Sequence, residues 1–249
     1  MIIHSYENTP RADACINYVR RCSALEKVDQ LFLLPIPSTR NNDLISGTNV
    51  YIYDVLEGVT PASLIVGYGL SDEFVGEAIR QGCVVFDISK DEGFLCENAE
   101  LTAIATLGIL LTTFSIAPSN MKVGVVGYGR IGKRLTKLLL YLGSQVRVYT
   151  SNNDVQMDLC ECGVETLKSS SCADVNGLDI LINTAPAKIF DTGRAEFPRH
   201  LRVIDLASGD NFPDFQVEKY PSVPAKMFPL TAGLAWGKSI ERFLMNNRH

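Results

Sequence analysis

Apolar residues in this chain fall in short, nearly solid blocks separated by segments with helical spacing. Blocks at 28–34, 49–53, 63–66 and 83–88, and later at 123–126, 145–149, 178–182 and 202–206, contain few polar positions. Blocks of that length and composition read as strands covered on both faces. The segments between them carry helix signals. Thr9 stands as an N-cap before Pro10 at a first helical position. Ser71 precedes a helical pattern over 71–81 that stops at Gly82. A long, mostly apolar helix rich in Ala, Leu and Thr is predicted over 98–114, ending before Pro118. Further helices are predicted over 154–162 and 231–246. Strands alternating with helices imply parallel sheets with helices on their faces. The expected fold class is therefore α/β: two Rossmann-like domains with parallel sheets, joined by a long helix, with the C-terminal helix returning to the first domain. The expected limits are 1–97 for a substrate-binding domain, 98–118 for the linking helix, 119–228 for a dinucleotide-binding domain and 229–249 for the last helix.

The block at 123–126 runs into VGYGRIG, where Gly127, Gly129 and Gly132 have G-x-G-x-x-G spacing. The spacing alone is weak, since glycine is common. Its context is specific: strand before, helix over 131–142 after, Gly143 as a C-terminal stop and a second strand at 145–149. In such a unit Gly127 permits the tight turn, Gly129 lets backbone approach a pyrophosphate, and Gly132 lets helix and strand pack closely. The helix N-terminus offers N–H groups to phosphate. Gly127, Tyr128, Gly129, Arg130, Ile131 and Gly132 are the candidate cofactor loop. An NAD-type unit carries an acid at the end of its second strand for the ribose hydroxyls. Here that place, 23 positions after Gly127 (150 − 127 = 23), is Thr150, followed by Ser151, Asn152 and Asn153. Neutral groups tolerate a 2′-phosphate, and Arg130 adds a positive charge. The expected cofactor is NADP, with NAD the second choice.

Composition narrows the class. The chain has 249 residues, 46% of them hydrophobic, and a net charge of −5. That balance argues against a nucleic-acid or membrane-surface partner. Apolar runs fall short of a membrane span, and MIIHSYENTPR lacks the basic, apolar start of a signal peptide. A cytoplasmic location is expected. Seven cysteines without paired spacing read as reduced thiols. Cys160 and Cys162 lack the second pair or histidine of a metal site, and no metal is expected.

Ligands of open α/β sheets lie beyond the carboxyl ends of the strands, and three loops there carry chemistry. In LLPIPSTRNN, Arg40 is a candidate carboxylate anchor, with Ser38 and Thr39 as hydroxyl donors. In LINTAPAKI, Asn183, Thr184, Ala185 and Pro186 follow an apolar strand and face a cofactor's ribose or nicotinamide. In VIDLASGDNFPDF, Asp205, Ala207, Ser208 and Asp210 cluster, with Asp205 read as a structural acceptor for loop amides. Neither a Ser-His-Asp order nor H-E-x-x-H nor a P-loop occurs.

Taken in order, LLPIPSTRNN, FDIS, NAELTAIATLGILL, VGVVGYGRIG, LINTAPAKI, VIDLASGDNFPDF and PLTAG resemble the dipicolinate synthase family, in its A-type component. These proteins are two-domain relatives of D-2-hydroxyacid dehydrogenases, from spore-forming bacteria. The resemblance spans most of the chain. It implies oxidation of a dihydro- or tetrahydropyridine dicarboxylate to dipicolinate with NADP, and a flavoprotein as second subunit. On that reading Arg40 holds a substrate carboxylate, Asn183 and Ser208 line the nicotinamide end, and Lys226 is the candidate base. The apolar helix at 98–114 makes a homodimer the expected assembly. The family pattern T-A-E-G is here Thr102-Ala103-Ile104-Ala105, and the lysine of P-K-T-A-G is Leu230. Loss of that acid and that base leaves a second expectation, a non-catalytic NAD(P)-binding sensor or scaffold.

Overall fold

A computed structural model describes residues 1–40, 43–168, 174–186, 197–207 and 217–247. Contacts divide the chain into two units, Met1–Asn98 with Phe228–His249, and Ala99–Met227. The elements of the first half are β1 (Ile2–Ser5), α1 (Pro10–Val19), β2 (Gln30–Leu33), β3 (Thr39–Arg40), β4 (Leu44–Ile45), β5 (Leu64–Gly67), α2 (Asp72–Arg80), β6 (Val84–Asp87) and α3 (Glu92–Thr113). Next come β7 (Lys122–Val126), α4 (Arg130–Tyr141), β8 (Gln145–Tyr149), α5 (Asn153–Glu161), β9 (Glu165–Leu167), β10 (Ile180–Asn183), β11 (Arg202–Asp205), β12 (Glu218–Lys219), α6 (Val223–Met227) and α7 (Pro229–Asn246).

The first unit holds a parallel sheet in the order β1-β2-β5-β6, with β3 and β4 as a separate antiparallel pair. Its strands are apolar on both sides because both sides are covered. Along β2 and the residue after it, Leu31 and Leu33 belong to a core shared with α1 and α7, while Phe32 and Leu34 belong to a second core with Phe74 of α2. The C-terminal helix thus returns to the first unit, where it packs on α1. Two glycines make that approach possible. A Cβ on Gly233 would stand 2.3 Å from the Arg11 carbonyl oxygen, and one on Gly237 would stand 2.7 Å from the Tyr18 ring. Below them Trp236 is fully buried.

The second unit is a parallel sheet in the order β12-β11-β10-β7-β8-β9. The chain runs outward from β7 to β9, then returns to start again at β10 on the other side of β7. The strand order therefore reverses between β7 and β10, the switch point at which open α/β sheets leave a crevice.

Helix signals are well placed. Thr9 caps α1 by accepting from Ala12 N, Ser71 caps α2 through Phe74 N, and Gly82 and Gly143 take positive φ just beyond their helices. Two expectations are corrected. The predicted strand at 49–53 gives way to a 3-10 helix over Ile52–Gly58. There Asp54 accepts from Tyr51 N at 3.1 Å, and the buried Ile52, Val55 and Leu56 follow helical spacing. The long helix starts at Glu92, not 98, because Asp91 caps it by accepting from Gly93 N at 2.9 Å. Asp91 is itself held by Ser239 and Arg242 of α7.

By length and composition alone, Glu92–Thr113 is long and apolar enough to cross a membrane, contrary to the expectation from apolar runs. Its later positions Ala99, Thr102, Ala103, Ala105, Thr106 and Leu110 are buried, and Glu100 pairs with Arg134 of α4 at 3.0 Å. These are the marks of a helix packed into the second unit.

The glycine contact generates a prediction. Gly233→Ala drives a methyl into the Arg11 carbonyl, backbone that cannot rotate away. Overpacking of this kind costs about 1–3 kcal/mol. Thermal or urea unfolding of the variant is expected to show that loss, and an unchanged midpoint would disprove the close approach of α7 to α1.

Candidate functional site

The carboxyl ends of β7 and β10 are level, with Asn183 opposite Val126 in register. Directly after β7, Gly127 has φ +87°, a conformation costly for any residue with a Cβ. Its N–H donates to Tyr149 O at 2.8 Å, tying the turn to β8. At Gly132 an added Cβ would lie 2.1 Å from the Gly127 carbonyl oxygen, so only glycine allows α4 to start so close to the turn. Gly129 differs. It is the N-cap of α4, it is exposed, and a Cβ there would meet nothing within 4 Å. The loop is closed on the protein side at Gly127 and Gly132 and open at Gly129. No side chain caps α4, and no acid lies in its first turn. That geometry presents a helix N-terminus to an anion.

Residues after β10 brace this turn. The Thr184 hydroxyl donates to Val126 O at 2.9 Å and lies 3.3 Å from Gly127 O, while its N–H also donates to Val126 O. Asn183 is 1% exposed. Its amide nitrogen donates to Asp205 Oδ1 at 2.8 Å and to Ala185 O at 3.1 Å, and its oxygen accepts from Ala185 N. Both amide hydrogens are engaged, one within the loop and one on β11. Asn183, read from sequence as facing the nicotinamide, therefore shapes the loop instead of reaching outward. Asp205 accepts from Ala207 N at 3.1 Å as well as from Asn183, the structural part read for it from sequence. Ala185 is half-buried and Pro186 exposed at the mouth of this loop.

Beyond β8, Thr150 is buried, and its hydroxyl accepts from Asn152 N at 3.3 Å. Asn152 caps α5 by accepting from Asp154 N and Val155 N, while Ser151 is exposed. Burial, and after it Cys162 and Asp158, raise the Tyr128 phenol above its ordinary value. A cavity of about 370 Å³ opens at the opposite edge of the same sheet, lined by Lys122, Gln145, Arg147, Glu165 and Gly177. It lies at the amino ends of the strands, away from the glycine turn, and does not belong to this site.

The remaining candidates are placed as follows. Ser38 is fully buried; its hydroxyl donates to Pro35 O and accepts from Tyr68 N at 2.6 Å, so it braces the loop after β2 and is no donor to a ligand. Thr39 is half-buried, and Arg40 is exposed with no partner among the described residues. Lys226 is exposed on α6. Ser208 and Asp210 lie outside the described residues. Ile104 and Leu230, which stand where the resemblance calls for Glu and Lys, are 40% and 67% exposed. Among the described residues no group of three His, Cys, Asp or Glu side chains is placed to hold a metal.

Sequence reading misses one charged pair. Arg11, 7% exposed, meets Glu7 through Nε at 3.0 Å and Nη2 at 2.8 and 2.7 Å. Glu7 stands between β1 and α1 and Arg11 in the first turn of α1, at the carboxyl edge of the first sheet. A Glu four residues before an Arg ordinarily reads as a solvated helix pair, so only burial distinguishes it.

No family model matches the chain, and no curated protein matches it. Solved structures do. The crystal structure of the A component of dipicolinate synthase from Bacillus halodurans aligns with TM-score 0.76 over 98% of this chain and 96% of that one, at 21% identity. The corresponding dipicolinate synthase chain from Bacillus subtilis aligns with TM-score 0.76 over 98% and 95%, at 16% identity. The transhydrogenase from Sinorhizobium meliloti aligns with TM-score 0.60 over 78% and 70%, at 16% identity. The chain shares the fold of the A component of dipicolinate synthase, and two-domain proteins of dehydrogenase type are its further structural neighbours.

The second and third glycines of the motif separate by experiment. Gly132→Ala is expected to lose dinucleotide binding and stability together, because its Cβ collides with backbone. Gly129→Val is expected to keep the unfolding free energy within about 1 kcal/mol, since the position is an open cap, while abolishing dinucleotide binding. Retained NADPH affinity in Gly129→Val, measured by fluorescence titration, would sink the assignment of the loop.

Proposed function

We propose that this protein is an NADP-dependent oxidoreductase of the dipicolinate synthase A type, acting on a dihydro- or tetrahydropyridine dicarboxylate. The observation that carries the reading is the glycine turn at the switch point, barred to a Cβ at Gly132 and open at Gly129. The fold likeness to dipicolinate synthase over 98% of the chain supports the substrate class. Gly127 to Gly132 hold the pyrophosphate, with Arg130 beside it. Thr150, Ser151 and Asn152 face the adenosine ribose, and Thr184, Ala185, Pro186 and Ala207 border the nicotinamide side. Nicotinamide, when bound, accepts a hydride from a ring carbon of the substrate; placement and electrostatics are the protein's share. Aromatisation of a dihydropyridine ring releases one hydride and one proton, and Lys226 is the candidate acceptor of the proton. Arg40 pairs with a substrate carboxylate. Asn183 acts through the loop it shapes, and Ser208 completes the nicotinamide end. A cytoplasmic homodimer working beside a flavoprotein partner, without nucleic acid or membrane, is the proposed setting.

A second reading rests on Ile104 and Leu230, exposed apolar residues where the resembled family carries an acid and a lysine. On it the chain binds dinucleotide as a sensor or scaffold without turnover. Purified protein given the dihydropyridine dicarboxylate and NADP, with and without flavoprotein, decides between them. Cofactor reduction above background supports the oxidoreductase, and tight NADPH binding without turnover supports the sensor.

Two variants probe the proposal further. Arg40→Ala is expected to raise KM for the dicarboxylate about ten- to hundredfold, the worth of a charge-assisted pair of roughly 1.5–3 kcal/mol, while leaving NADPH affinity alone. A KM that does not move would remove Arg40 from the site. NADPH is expected to bind more tightly than NADH, and Thr150→Asp, which sets a carboxylate against the 2′-phosphate, is expected to reverse that order. Tighter NADH binding by the wild type would contradict the cofactor choice.

A further inference from the structure

We infer that Arg11, held by Glu7, is a second carboxylate anchor at the carboxyl edge of the first sheet. Arginines paired deep in a fold are ordinarily structural, but this one is paired on one side only. Nε and Nη2 donate to the Glu7 carboxylate, which also accepts from the Thr9 hydroxyl at 2.6 Å. The guanidinium carbon lies 5.6 Å from the centre of the Trp236 ring. The head group is thereby fixed in position and plane. Nη1 has no partner among the described residues, and the side chain keeps 9% exposure. That leaves the two N–H groups of Nη1 as donors of a fixed cation not engaged by the described residues, just after the end of β1, where parallel sheets present ligand groups.

The ligand chemistry follows from the donors. A charged, planar N–H group with its reorientation already restricted suits a carboxylate oxygen. The inference rests on the dicarboxylate reading and deepens it. Arg40 offers one cation, exposed on its hairpin. A pyridine dicarboxylate carries two anionic groups and needs a second. Arg11 supplies it from the neighbouring loop of the same unit, and its rigidity makes it the group that orients the ring. Glu7 keeps the empty pair neutral. Its charge also opposes an incoming anion, which gives the inference a sign that a purely structural pair lacks.

The test uses the full chain saturated with NADP and titrated calorimetrically with dipicolinate. Arg11→Gln alone leaves a buried carboxylate unpaired, so the informative variants are Glu7→Gln and the double Glu7→Gln/Arg11→Gln, which replaces the pair by two neutral amides. Glu7→Gln is expected to bind dipicolinate at least as tightly as wild type. The double variant is expected to lose about ten- to hundredfold in dipicolinate affinity, the range of a charge-assisted hydrogen bond, with NADP affinity unchanged. Equal dipicolinate affinity in the double variant and wild type overturns the inference and leaves the pair structural. Wild type that binds NADP but no dipicolinate overturns it also, while sparing the dinucleotide site. Wild type that fails to bind NADP overturns the proposed function itself.

Discussion

The second unit is organised around the contact between the start of α4 and the turn after β7. With the Gly127 carbonyl oxygen 2.1 Å from where a Gly132 Cβ would stand, helix and turn leave no room for a side chain between them. Everything at the carboxyl edge follows from that approach. The helix N-terminus is drawn over the end of the sheet, Gly129 is left as its cap with open space beyond, and Thr184 is near enough to hold the turn through its hydroxyl. Because β10 lies beside β7, the loop that braces the turn belongs to the strand where the sheet order reverses.

The first unit solves a related problem with different residues. Its C-terminal helix covers one face of a four-stranded sheet, and it reaches α1 through Gly233 and Gly237. That places Trp236 at the centre of the core and beneath Arg11. In both units a glycine gives up side-chain contacts so that backbone can approach, and the approach sets a polar group beside a strand end. Many polar residues at those ends are then occupied by the fold. Ser38 braces the loop after β2, Asp87 accepts from Gly69, Leu70 and Ser89 N–H groups, and Asn183 with Asp205 ties β10 to β11. A polar side chain buried at a loop base costs stability unless its bonds are met, so these groups have met theirs internally. The groups left over for a ligand are fewer than the loops suggest from their composition: the α4 N-terminus, Ser151, Arg40 and the unpartnered Nη1 of Arg11.

Much of this is legible in the chain's pattern. Apolar blocks locate β2, β5 to β8, β10 and β11, and caps such as Thr9, Ser71 and Gly143 set helix ends within a few residues. The glycine spacing in its strand–helix context gives each of the three glycines a distinct role, and the structure shows Gly127 with positive φ and Gly132 without room for a Cβ. Short edge elements escape. β9 and β12 have three and two residues, too few for a period to show, and β1 carries only two apolar residues, Ile2 and Ile3, before His4 and Ser5. The 3-10 turn over Ile52–Gly58 reads as a strand because a short apolar cluster fits either period.

What the sequence determined alone is therefore local: the alternation of strands and helices, their stops, and the loop with glycine spacing, since each depends on residues within a few positions of one another. The tertiary structure decided which polar residues are free. Asn183 and Ser38 carry the same groups as a ligand-binding residue would, and only their partners across the sheet show that those groups are occupied. Glu7 and Arg11 read as a surface pair until α7, more than two hundred residues later, lays Trp236 beneath them. Hydrogen bonding and burial are properties of neighbours in space, and spacing along the chain does not carry them.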